Sequence, residues 1–334
     1  MPNLYDKKKY ILNYTLLLFF LRQSLKLKKI HRGIRYTETN FLENYIEFNT
    51  EKRTKAASDF EKDFYKLMNN APDGKSFENV RNRASIKIVN GHEAGQLEKL
   101  FAKPHFQSAF VFEDSNLVSV KMGQSTVCLN RPIYLGQTIL DNSKYIMCYF
   151  HYNYIKPKYA DKAKLLMTDT DSLCYAIETE DFYKDIIFDV EDRFDASNYD
   201  SHHPSGIPTG KNKKVPGMMK DEAGGKFIIE FVGLRPKLYA FTTQDTCVKK
   251  CKGVRKPVIE KWLNFDHYKD CLFNKTMYMT TYNMLKSRKH EITTEMVTKV
   301  ALTGEDDKRF LLQNSRHETH SLGHWINPYL DKKA

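Results

Sequence analysis

Residues 165–177 read L-L-M-T-D-T-D-S-L-C-Y-A-I, two apolar runs on either side of Asp169 and Asp171. Aliphatic and aromatic residues around a short polar break predict two strands, Lys164–Thr168 and Ser172–Ile177, joined by a tight turn. Side chains two apart on extended chain project to one side, so the two carboxylates are expected to point together. Like charges held close repel and push a carboxyl pKa upward unless a cation neutralises them, and hard oxygen donors suit Mg²⁺. Phosphoryl transfer uses such a template to activate the attacking oxygen and steady the leaving one. An Asp-rich hairpin turn, its side chains capping backbone amides, accounts for D-T-D as well, so the run does not decide the chemistry alone.

Outward from this turn the pattern stays mixed. Further strands are predicted at Leu117–Lys121, Lys226–Val232 and Lys237–Thr243, each rich in β-branched or aromatic residues. A helix is predicted over Thr50–Asn70, with Thr50 as cap and Phe60, Phe64, Leu67, Met68 and Ala71 at helical spacing. Its opposite face carries Lys55, Lys62, Lys66 and Asn70. Lys66 and Asn70 lie one turn apart, so a triphosphate along the helix would meet both, although a solvated basic face reads the same way. A second long helix is predicted from Pro132, a first-turn proline, to about Tyr152. The apolar stretch Ile11–Leu21 holds Asn13 and Thr15 and is about half the ~20 residues of a membrane span; it predicts a partly buried amphipathic helix, and no membrane partner. Breaks fall at Asn90–Gly95, in the Pro-, Gly- and Lys-rich loop Asp200–Gly225, and after Phe241. The fold class expected is α+β.

The chain has 334 residues, enough for two or three compact units, and 53 Lys and Arg against 41 Asp and Glu, a formal charge of +12. Nine basic residues lie between 7 and 35 with no acid among them, and eight face two acids between 235 and 262. Interleaved with Tyr and Phe, such strips suit a phosphate backbone, while a solubilising surface has the same composition. The cysteines at 128, 148, 174, 247, 251 and 271 form no C-x-x-C pair and no dense framework, which fits reduced thiols in the cytosol or nucleus.

Three ordered runs together resemble family B DNA polymerases, nearest the protein-primed organellar, viral and transposon type. K-L-M-N-N-A-P-D-G-K at 66–75 is similar to motif B, whose pattern is K, three residues, N, two residues, Tyr or Phe, then G. T-D-T-D-S at 168–172 is similar to motif C, and R-P-K-L-Y-A-F at 235–241 to the K-x-Y element. H-R-G-I at 31–34 and G-K-N-K-K at 210–214 extend the likeness over nearly the whole chain. The resemblance implies a right-hand polymerase fold: fingers and a preceding insertion over 1–90, a palm with motif C and the K-x-Y element over 91–250, and a thumb with a C-terminal tail over 251–334. It implies template-directed nucleotidyl transfer, with DNA primer-template and dNTPs as partners and a terminal protein as a further candidate. Lys66 and Asn70 would bind the nucleotide. Asp171, supported by Asp169, would be catalytic and hold Mg²⁺. Lys237 and Tyr239 would hold the primer.

Two departures bear on activity. The D-x-x-x-Y-P element of motif A, whose aspartate chelates both metals, does not occur ahead of Lys66. The two-metal site is therefore expected to lack one carboxylate, and Met1 to fall inside a longer gene. Within motif B, Asp73 stands where the family has an aromatic residue, after Pro72. An anion roughly 7 Å from a phosphate repels it by about 2 kcal/mol at an effective dielectric near 20. Pro72 would remove the backbone bond to Met68 and cost about 3 kcal/mol in a helix interior, so the helix is expected to kink or break. A polymerase and a non-catalytic nucleic-acid-binding remnant of one are thus both expected readings. G-I-P-T-G-K-N at 206–212 lacks the spacer and hydroxyl of a phosphate loop. His317, His320 and His324 have zinc-like spacing but read as a polar tail, and Glu230 reads as a strand-face charge.

Overall fold

A computed structural model describes residues 5–92, 94–112, 116–288, 291–305, 309–311 and 319–321. Helices alternate with mostly antiparallel sheets, as an α+β chain requires. In chain order come α1 (Tyr14–Arg22), α2 (Glu43–Lys55), α3 (Asp59–Ser76), β1 (Ser85–Asn90), α4 (Ala94–Phe101), β2 (Phe106–Val111), β3 (Leu117–Met122) and α5 (Ile133–Phe150). A π-helical turn, His151–Ile155, leads into α6 (Lys156–Tyr159), then β4 (Ala163–Asp169) and β5 (Ser172–Ile177). Short turns α7 (Phe182–Asp185) and α8 (Val190–Arg193) precede β6 (Phe194–Asp195) and β7 (Met219–Lys220). The chain continues through β8 (Glu230–Arg235), β9 (Leu238–Thr242), β10 (Cys247–Cys251), α9 (Lys256–Trp262) and α10 (Phe265–Phe273). It then runs through β11 (Tyr278–Arg288), β12 (Glu291–Leu302), β13 (Arg309–Leu311) and β14 (Thr319–Ser321).

Two compact units result: 1–40 with 140–282 and 297–334, and 41–139 with 283–296. In the first, β8, β9 and β10 form an antiparallel sheet whose inner face, Val232, Leu238 and Ala240, packs with Tyr268 and Cys271 of α10. Tyr268 is fully buried, and its hydroxyl donates to the Lys250 carbonyl at 3.1 Å, so the ring is buried without stranding its polar end. A second core gathers Tyr154, Ile155, Tyr183, Ile186 and Phe194, with Ala163, Tyr175 and Ile177 of the β4–β5 hairpin against it. Asn13 caps α1, which buries Leu16 and Phe19 as the amphipathic reading required. The Asn13 amide donates to the fully buried Asp141 carboxylate at 2.7 Å. No helix among the described residues is long and apolar enough to cross a membrane.

The loop Asp200–Gly225 is tied down by polar side chains. The Asn212 side-chain amide donates to the carbonyls of Val190, Glu191 and Phe194 at 2.9–3.0 Å, and Asp195 accepts from the backbone of Ser197 and Lys214. The strand predicted at Lys226–Val232 starts later, as β8 at Glu230. Gly224 and Gly225 adopt φ of +65° and +86° and Lys226 closes a turn onto Ala223, so the chain is still reversing there.

In the second unit, the helix expected over Thr50–Asn70 is two helices. Ala56 leaves α2 in an extended conformation, and Ser58 opens α3 with a capping box to Glu61. Nor does Pro72 break the chain: α3 is helical from Asp59 to Ser76. The carbonyl that Pro72 leaves without an amide, that of Met68, accepts instead from the Tyr45 hydroxyl of α2 at 3.1 Å. That side chain from a neighbouring helix supplies what the proline withholds. Beyond α3, Gly136 of α5 meets Phe77 and Ser76 so closely that a Cβ there would collide with the Phe77 ring and the Ser76 hydroxyl. Glu78 is gripped by Arg83 at 2.5 Å, Lys75 at 2.8 Å and Arg131 at 3.1 Å, and the Arg83 and Lys75 bonds pull its pKa down to about 2. The sheet β1-β3-β2 carries its own small core of Val89, Leu100, Val118, Val120 and Met122.

Candidate functional site

The two acidic residues sit where β4 reverses into β5. Asp169 ends β4 and pairs with Ser172, leaving Thr170 and Asp171 as a two-residue turn, closed by the Asp171 amide on the Asp169 carbonyl at 2.6 Å. Thr170 has φ +54°. A first turn residue in the left-handed region suits the twist of a hairpin, but glycine is the usual occupant and a β-branched residue is strained there. The Thr170 hydroxyl donates to Asp169 Oδ1 at 3.4 Å and the Ser172 hydroxyl to the Asp169 carbonyl at 3.2 Å. Asp171 is exposed, whereas the Asp169 side chain keeps 24 % of its surface.

A second reversal meets the first. Arg235 pairs with Leu238, so Pro236 and Lys237 are the central residues of the β8–β9 turn, with Lys237 at φ +62°. Proline followed by a residue at positive φ is the pattern of a type II turn, again with a non-glycine in the glycine place. From that turn the Lys237 ammonium reaches both Asp169 oxygens, Nζ donating to Oδ1 at 2.7 Å and Oδ2 at 2.9 Å. The bond to Asp169 raises the Lys237 pKa against the opposing effect of desolvation, and the Asp169, Tyr239 and Asp171 charges add to the rise. Tyr239 follows on β9, its ring stacked on Phe231 at 6.1 Å, and burial followed by the Asp169 charge raises its pKa. Cys174 on β5 is pushed up to about 11 by burial, which removes it as a thiolate nucleophile.

Asp169 and Lys237 are thus in direct contact, with Tyr239 and Asp171 within electrostatic reach. Lys66 and Asn70 lie together and exposed on α3, in the other unit, and Asp73 there has one carboxylate oxygen buried without a hydrogen bond. Glu230 forms an ion pair with Lys269 at 2.7 Å, a strand-face charge as read. His320 is in β14, and His317 and His324 lie outside the described residues. The sequence reading missed the Lys237–Asp169 contact, for which Pro236-Lys237 as a turn pair between two strands was the available sign.

Among the described residues no group of three His, Cys, Asp or Glu side chains converges as a metal site. Asp169 and Asp171 are donors of the right hardness for Mg²⁺, but two carboxylates, one already neutralised by Lys237, are too few to bridge a metal pair. Comparison with protein-family models, with curated proteins and with solved structures returns no match for this chain.

Proposed function

We propose that the chain is the fingers, palm and thumb portion of a DNA-templated DNA polymerase of family B. In that reaction a primer 3′ oxygen bonds to the α-phosphorus of a dNTP and the bond from that phosphorus to the β-phosphate oxygen breaks, releasing pyrophosphate. On this reading Lys66 and Asn70 take the nucleotide, Asp171 and Asp169 are the carboxylates toward Mg²⁺, and Lys237 and Tyr239 take the primer. The observation that carries it is the Lys237–Asp169 contact. Two runs 68 residues apart, each similar to a polymerase motif, meet side chain to side chain.

The test is extension of a short primed template with Mg²⁺ and dNTPs, comparing the chain with Asp171→Ala. Extension that disappears in the variant supports the assignment. Absence of extension in both, with DNA still bound, leaves the second reading, a nucleic-acid-binding chain without turnover. That reading is favoured by one feature: Asp73 puts an anion on α3, the helix that carries Lys66 and Asn70, where a triphosphate would be repelled.

A further inference from the structure

The second unit carries a cleft that none of these roles uses. It encloses about 260 Å³ at one end of the three-stranded sheet. Ser85 and Lys87 of β1 form one wall, Lys103 and His105 from the connection after α4 another, and Ser125 and Thr126 beyond β3 close it. No lining residue is acidic. Lys87 and Lys103 are exposed, and neither is ion-paired among the described residues. Some exposed lysines elsewhere on the chain are neutralised, Lys62 by Asp59, Lys75 by Glu78 and Lys226 by Asp245, whereas these two stand in a cleft with no carboxylate in its lining. Two ammonium groups sharing a cleft repel, and only an added anion turns that repulsion into attraction. Hydroxyls without a competing carboxylate complete a donor set suited to phosphate oxygens.

The walls are braced. Gly123 donates its amide to the His105 carbonyl at 2.7 Å, and Ser85 pairs with Met122 in the ladder. A Cβ at Gly123 would stand 3.1 Å from the Gln107 amide nitrogen and 3.4 Å from the His105 carbonyl, so the close approach suits glycine. We infer that this cleft binds a phosphate ester, and that its carrier is a nucleic-acid strand, a second point of attachment on the unit that holds α3. Only the identity of the carrier rests on the polymerase reading.

The experiment measures anisotropy of a labelled single-stranded oligonucleotide against salt, for the chain and for Lys87→Ala with Lys103→Ala. Both lysines are exposed, and circular dichroism checks that the double variant keeps its fold. The expected result is weaker binding and a log–log salt slope shallower by about 1.4, at about 0.7 for each single-strand phosphate that a lysine no longer neutralises. A 5′-phosphorylated strand that outcompetes its 5′-hydroxyl twin assigns the cleft to a strand end, and equal competition assigns it to backbone phosphate. Oligonucleotide binding with the same affinity and slope in the double variant overturns the cleft while sparing the nucleic-acid reading. Failure of the chain to bind DNA, alongside lysine-dependent chemical-shift changes on titration with inorganic phosphate, overturns that reading and its carrier while keeping the phosphate site.

Discussion

Thr170 and Lys237 hold left-handed conformations that L-residues avoid, at φ of +54° and +62°, and each sits at the tip of a hairpin that carries residues of the candidate site. A non-glycine residue in this region costs roughly 1–2 kcal/mol, met here by the strands on either side. Lys237 has a visible return, its grip on both Asp169 oxygens. Thr170 has only a long bond to Asp169. Thr170→Gly should therefore raise stability by about 1 kcal/mol in chemical denaturation, since it removes strain and forfeits little. A fall of the same size would mean that the threonine hydroxyl holds Asp169 in place. Neither conformation is legible in the sequence: T-D-T-D-S announces a turn, but not which residue takes the positive φ.

At the scale of elements, α3 shows how a local rule is overridden. Pro72 was expected to end or kink the helix, and in isolation the Met68 carbonyl would lose its partner. The Tyr45 hydroxyl fills the vacancy from α2, a contact across 23 residues that local pattern cannot reveal. The break between α2 and α3 was missed although its signal is local: Ser58 and Glu61 spell a capping box, whereas Thr50, expected to cap the helix, lies inside α2. Hairpin β4–β5 and helix α5 were readable almost to the residue, because apolar runs and a first-turn proline are local signals. The Pro72–Tyr45 account predicts a measurable coupling. Tyr45→Phe should cost about 1 kcal/mol, the loss expected when a partly buried carbonyl gives up its hydrogen bond. In a Pro72→Ala background, where residue 72 again has an amide for Met68, the same change should cost about 1 kcal/mol less. Equal cost in both backgrounds, read from a double-mutant cycle of denaturant midpoints, would show that the tyrosine hydroxyl does not act through this carbonyl.

For the whole molecule the dominant property is charge, +12 in 334 residues, and the structure shows that its cations are not equivalent. Some are satisfied internally. Lys249 donates to the carbonyls of Glu260 and Leu263 at the end of α9, and Lys28 pairs with Asp6 at 2.6 Å. Others in the same two basic strips, Lys26, Lys29, Arg32, Lys250 and Lys252, are exposed and without ion pairs among the described residues. Counterion release depends on cations that reach phosphate, not on net charge as such. Changing those five to Gln should therefore make the salt slope for a single strand shallower by up to about 3.5, at about 0.7 per phosphate. The matched control changes Lys55, Lys62, Lys226, Lys256 and Lys286 to Gln, all of them ion-paired, and removes the same charge. Its slope should stay close to that of the unaltered chain, because paired lysines release few counterions. Equal slopes for the two sets in anisotropy titrations from low to high salt would mean that the strips are no footprint and that affinity follows net charge alone. A loss confined to the first set would locate the path of the strand on the protein surface.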